Sequence, residues 1–167
     1  MNAASTTIRP AAAPDAAAIA AIYNHYVAHT VVTFEETPVA DGDMARRLDE
    51  VRSASLPWLV AVAGGEVAGY AYAAPWKARI GYRHSVEITV YLGPDHHGRG
   101  IGSQLYGQLF PMLEARRVHA VMAGIAQPNE ASVALHEKFG MRKVAHFAQV
   151  GFKLDRWIDV GYWQRLL

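Results

Sequence analysis

The sequence contains no cysteine, so disulfide bridges, thiolate metal ligands and cysteine nucleophiles are all excluded. Charge of one sign is also missing. Sixteen Lys and Arg stand against 15 Asp and Glu, for a formal net charge of +1, which gives no field to attract nucleic acid or an anionic membrane. No apolar run reaches spanning length, and the opening Met1 to Thr7 is short and polar. Neither a membrane span nor a cleavable leader is expected, and the cytoplasm is the expected location. Gly-Lys-Ser and Gly-Lys-Thr occur nowhere, which excludes a P-loop. No internal repeat or low-complexity stretch appears beyond the alanine-rich start. What remains is a chain of 167 residues, 51% hydrophobic and 19% charged, read as one domain over 1–167 with a real core.

One stretch organises the rest. Val86 to Leu92 is rich in β-branched residues and reads as a strand. A turn at Gly93-Pro94-Asp95 follows, then the glycine-rich run His97-Gly98-Arg99-Gly100-Ile101-Gly102, then a helix expected over 103–117. Glycines without Cβ atoms let a ligand approach the backbone closely. The free amides and positive pole of a helix N-terminus favour an anion, and a pyrophosphate is the natural occupant. The dinucleotide pattern G-x-G-x-x-G fails, because its last position falls on Ser103 or Leu105.

Around this stretch the chain reads in order. Thr6 to Arg9 is a short strand, and Pro14-Asp15 starts a helix carrying Ile19, Ile22, Tyr23, Tyr26 and Val27. His25 and His29 lie one turn apart on it, but no Glu of H-E-x-x-H stands between them and no third ligand is apparent, so no metal site is expected. Residues 30–38 read as a loop with Phe34 as a wall and Glu35 as a charge. Asp41 is read as the cap of a helix to about Arg52. Leu56–Ala63 and Glu66–Ala74 form a hairpin through Gly64-Gly65, and Gly69 signals a bulge or close approach. Residues 75–84 form a basic, aromatic loop. His119–Ala126 reads as a strand, Asn129 as the cap of a helix that stops at Gly140, and two strand-like segments divided near Gly151 end the chain. The order implies an α+β architecture with a mixed, mostly antiparallel sheet of about seven strands flanked by about four helices.

The glycine turn fits the [Gln/Arg]-x-x-Gly-x-[Gly/Ala] signature of the GNAT acetyltransferases, except that His97 stands in its first position. Further strings are Ile22-Tyr23-Asn24-His25-Tyr26-Val27, Thr33-Phe34-Glu35, Pro57-Trp58-Leu59-Val60-Ala61, the run from Asn129 to Gly140, and Arg156-Trp157-Ile158-Asp159-Val160. On these the chain resembles the phosphinothricin and methionine sulfoximine N-acetyltransferase branch of the GNAT superfamily, from about Ile8 to Leu167.

The resemblance implies the GNAT fold, a homodimer, acetyl-CoA as co-substrate without a metal, and acetyl transfer to the α-amine of a small amino-acid analogue. It assigns Glu87 as general base, with Val90, Tyr91 and Leu92 on the acetyl and pantetheine arm. The amide of Val90 would polarise the thioester carbonyl. His97, Gly98, Arg99, Gly100, Ile101, Gly102 and Ser103 would hold the pyrophosphate, and Asn129 the pantetheine. Phe34, Glu35, Lys77, Arg79 and Tyr82, with Glu87, fall where substrate contacts belong. His136 is either the proton donor to the leaving thiolate or structural, and Glu87 reads either as the base or as a carboxylate paired with an Arg. The branch commonly shows Trp-Arg where this chain has Trp76-Lys77. Two other readings stand beside this one: a protein N-terminal or lysine acetyltransferase, and a coenzyme A-binding module without catalysis.

Overall fold

The computed structural model describes residues 6–167. Most of the short polar opening at Met1 to Thr7 therefore lies outside the described residues. The strands are β1 (Thr7–Pro10), β2 (Trp58–Ala63), β3 (Glu66–Pro75), β4 (Ser85–Leu92), β5 (Ala120–Gln127), β6 (Arg142–Lys153) and β7 (Arg156–Leu166). The helices are α1 (Ala16–His29), α2 (Asp41–Ser53), α3 (Ile101–Ala115) and α4 (Glu130–Lys138). All seven strands join one sheet in the order β1-β2-β3-β4-β5-β7-β6. Each neighbouring pair is antiparallel except β4 and β5. The α+β expectation holds, and the single parallel pair sits at the centre.

Each face of the sheet carries its own core. On one face α3 buries Leu105, Tyr106, Leu109 and Leu113 against Ala71, Ile88, Val121 and Ile125, with α4 beside it. On the other, α1 and α2 lay Ile19, Tyr23, Met44 and Leu48 over Val60, Tyr70 and Tyr91. β4 belongs to both, because alternate side chains point to opposite faces: Val86 and Ile88 meet the α3 core, and Tyr91 meets the α1 core.

Local expectations hold at several points and fail at others for identifiable reasons. Gly64 and Gly65 both take positive φ, +61° and +87°, as the two-residue hairpin requires. At Gly69 a Cβ would lie 2.9 Å from the Tyr91 carbonyl oxygen, so the glycine marks a close approach of β3 to β4. Asp41 is not the cap of α2. Ala40 holds that position with no side-chain bond, and Asp41 and Asp43 lie in the first turn, where carboxylates suit the positive pole. The last two strands do not divide at Gly151. β6 runs on to Lys153 and turns at Leu154 and Asp155, both at positive φ, while Gly151 makes room for the Phe34 ring. Helix α3 begins at Ile101, two residues before the expected start.

Candidate active site

The site begins with a parity argument on β4. The Trp76 amide donates to the Ser85 carbonyl at 3.1 Å, and the Gly93 amide donates to the Ala68 carbonyl at 2.9 Å. With an unbroken register between them, odd-numbered residues of β4 spend their backbone groups on β3, and even-numbered residues turn theirs toward β5. Pairing with β5 covers only Ser85–Glu87 opposite Ala120–Met122. Beyond Glu87 the two strands part, and the amides of Val90 and Leu92 have no partner in the sheet. Interior backbone donors are normally satisfied, so this gap is a candidate seat for a hydrogen-bond acceptor of a ligand.

Two cavities occupy the gap. One, of about 230 Å³, is lined by Tyr26, Val90, Leu92, His97, Asn129 and Leu135. The other, of about 210 Å³, is lined by Thr33, Glu87, Val90, Gly124, Ser132 and His136. Asn129 borders both and caps α4, its Oδ1 accepting the Ser132 amide at 3.2 Å.

At the end of β4 the chain turns through Gly98 (φ +72°) and Gly100 (φ +74°), and Gly100 occupies the cap position of α3. The first amides of α3 thereby form a candidate anion seat. Lys138 of α4 donates to the Ser103 hydroxyl at 3.0 Å and adds a positive charge at the same end. The His97 side chain is fixed from behind. The Tyr26 hydroxyl gives its one proton to the Leu92 carbonyl at 2.6 Å, so the 3.0 Å contact with His97 Nε2 makes that nitrogen the donor.

Glu87 is the last β4 residue paired with β5, and its side chain lies in the gap. Burial pushes its pKa above the usual carboxylate range, while the Gly124 amide and the Lys77 charge pull the other way. Its Oε1 lies 3.2 Å from the point a Cβ on Gly124 would occupy, with the Tyr162 ring at 3.0 Å from that point. Gly124 and Tyr162 were not legible as site residues, although a glycine inside a strand of small apolar residues is the mark of close approach.

His136 is 3% exposed, and both ring nitrogens are engaged. Nδ1 lies 2.7 Å from the Ser132 carbonyl, an acceptor only, so Nδ1 carries the proton and Nε2 accepts from the Tyr106 hydroxyl at 2.8 Å. Burial lowers its pKa, with the Ser132 carbonyl opposing. A neutral ring held this way has no proton aimed into the gap, which favours the structural expectation over the donor.

The expected acceptor contacts do not converge. Lys77 and Tyr82 line a separate chamber of about 450 Å³ with Trp76, Met122, Phe147 and Tyr162, next to Glu87. Arg79 is exposed and lines none of these spaces. Phe34 packs on Gly151, and Glu35 is paired with Arg47 of α2 at 2.8 Å and lines a different cleft, with Arg46 and Pro38. Among the described residues no cluster of three or more His, Cys, Asp or Glu could hold a metal ion. No described helix is long and apolar enough to cross a membrane.

Known proteins share this fold and much of this sequence. The phosphinothricin N-acetyltransferase of Streptomyces viridochromogenes is 43% identical over 158 residues, covering 95% of this chain and 86% of that protein. The L-methionine sulfoximine/L-methionine sulfone acetyltransferase of Salmonella typhimurium is 38% identical over 160 residues, covering 95% and 92%. A phosphinothricin acetyltransferase from Sinorhizobium meliloti, solved in complex with acetyl-CoA, superposes with a TM-score of 0.94 at 36% identity, covering 97% of this chain and 88% of that one. A ribosomal-protein-alanine N-acetyltransferase from Brucella melitensis superposes equally well, at 0.94 with 37% identity and coverage of 96% and 99%. Residues 8–161 match the acetyltransferase (GNAT) domain family, and the chain belongs to that family.

Proposed function

We propose that the protein transfers the acetyl group of acetyl-CoA to the α-amine of a small amino acid of the phosphinothricin, methionine sulfoximine or methionine sulfone type. The observation that carries the reading is the juxtaposition of Glu87 with the unpartnered Val90 amide where β4 and β5 part. An α-ammonium must lose a proton before it attacks, and a carboxylate raised in pKa by burial is suited to take it. Acetyl-CoA supplies the acyl thioester. The Val90 amide sits to receive the negative charge that gathers on its carbonyl oxygen, a contribution of about 10²- to 10³-fold. Residues 97–103 and Asn129 form the seat for the coenzyme, and the positive pole of α4 favours the departing thiolate. His136 holds the start of α4 through Ser132 and takes no part in proton transfer.

Lys77 in an aromatic-walled chamber beside Glu87 supports a small acceptor with one polar, electron-rich group. The Brucella neighbour supports a second reading, a peptide or protein N-terminal amine. We further propose a cytoplasmic homodimer. The exposed Val144, Phe147, Val150, Phe152 and Trp157 of the last two strands support the pairing. The test is release of free thiol from acetyl-CoA with phosphinothricin, methionine sulfoximine, methionine sulfone and a peptide amine in parallel. Turnover on the first three is expected, and turnover on the peptide alone overturns the reading.

A further inference from the structure

The wall of the Glu87 chamber that faces away from the sheet comes from the segment between α1 and α2, through Val32 and Thr33. This segment has no regular secondary structure. Side chains hold it instead: Tyr23 Oη to Thr33 Oγ1 at 2.7 Å, Arg47 to Glu35 at 2.8 Å, and the Phe34 ring laid on Gly151. A fourth tie comes from 120 residues away. Lys153, the last residue of β6, is 2% exposed, and its Nζ donates to the Thr33 carbonyl at 2.8 Å. A longer contact of 3.5 Å reaches the Tyr26 carbonyl in the last turn of α1, where a cation meets the negative pole of the helix.

We infer that Lys153 is a positioning residue, a latch by which the β6–β7 hairpin fixes segment 30–36 and so sets the acceptor wall of the chamber. The inference rests on the proposed acetyl transfer for its kinetic consequence, not for its structural one. A buried ammonium is a costly way to fill space, and an apolar side chain of the same length would fill it without the loss of hydration. What the amine adds is the bond to the Thr33 carbonyl, on a segment with few other backbone ties. Burial lowers the pKa of the amine, and Glu36 and Glu35 oppose that shift, so the group sits among partners that favour its charge. Phe34 on Gly151 closes the same contact from the apolar side, and the two together join the hairpin to the acceptor wall.

The test compares the parent with Lys153→Met by backbone hydrogen exchange and by kinetics. The latch requires exchange over residues 30–36 to speed about tenfold or more, as loss of one charged hydrogen bond allows, while exchange in α3 is unchanged. It also requires the acceptor KM to rise about tenfold. Because the chain has no cysteine, Lys153→Cys introduces a single thiol, and aminoethylation of it rebuilds the amine at one site. Protection of 30–36 and the acceptor KM should both return on that treatment. Unchanged exchange over 30–36, or a failure of the rebuilt amine to restore it, overturns the latch. Exchange is measured without any acceptor, so it decides the matter even if the acceptor panel sinks the proposed reaction.

Discussion

Glu87→Gln separates catalysis from stability because the two should move in opposite directions. The carboxylate sits mostly buried at the point where β4 and β5 part, and burial raises its pKa against the pull of the Gly124 amide and Lys77. A folded-state pKa above the unfolded value means that the group's contribution to stability is complete below the unfolded pKa. That contribution is lost as pH rises through the folded pKa. At neutral pH the ionised side chain therefore favours the unfolded chain, and the neutral amide of Gln removes that penalty while keeping the shape. The thermal midpoint should hold or rise at pH 7 and converge with the parent near pH 4. Turnover should fall by about 10²- to 10⁴-fold, or about 3 to 5 kcal/mol of barrier, as expected for loss of a positioned base. The acetyl-CoA KM should stay within about twofold, since uniform binding is untouched. In the parent, kcat/KM should fall toward acid along a limb lying above the ordinary carboxylate pKa of about 4.3, and the limb should vanish in the variant. Thiol-release kinetics from pH 4 to 9, with melting curves at the same points, would check this. Turnover within threefold of the parent, or a midpoint lowered together with turnover, refutes the reasoning.

Three further outcomes follow from the same structure. Asp15 is 7% exposed and takes both nitrogens of Arg9 at 2.7 Å together with the Ala12 amide at 2.8 Å, which lowers its pKa. Its contribution is present above the unfolded pKa and lost as pH falls through the folded one. Asp15→Asn should cost about 1 to 2 kcal/mol in urea unfolding at pH 7, and much less near pH 2. Leu109 is fully buried in the α3 core, and Leu109→Ala should cost about 2 to 5 kcal/mol by the same measurement, with the acetyl-CoA KM retained. Gly100 lies at φ +74° with open space where a Cβ would go, so Gly100→Ala pays only the backbone strain, about 1 to 2 kcal/mol. That strain falls on the turn that starts α3, so the acetyl-CoA KM should rise while the acceptor KM does not.

Much of the fold was legible because the signals were local. The Gly64-Gly65 hairpin, the Asn129 cap and the stop at Gly140 each rest on a residue whose conformation or side chain is restricted by its own chemistry. The turn at Leu154-Asp155 was not, since two ordinary residues adopt positive φ there and no glycine marks the place. Gly151 misled for the converse reason. It makes room for Phe34, a contact across more than a hundred residues, and not for a turn. The candidate site divides along the same line. The glycine turn and Glu87 could be named from sequence, but the gap that makes them a site depends on where pairing of β4 with β5 stops, a property of two strands in register. The partners of Glu35 and His136, Arg47 for the one and Ser132 with Tyr106 for the other, are likewise set by the fold and have no local signal in the sequence.

His97 shows how a departure from a motif is absorbed. In the signature its position belongs to Gln or Arg, and a sequence reading can only note the difference. In the structure the imidazole Nε2–H is donated to Tyr26, and Tyr26 in turn donates to the carbonyl of Leu92. The two bonds tie the start of the glycine turn to the end of β4 through a residue of α1, so the side chain serves to hold the turn in place. The groups left for an anion are the amides that open α3 and the Lys138 ammonium beside Ser103, and none of them belongs to the side chain of residue 97. A backbone grip tolerates a change of side chain at its margin as long as something else fixes the loop. Here that something is the His97 imidazole itself, bonded to Tyr26 and through it to the end of β4.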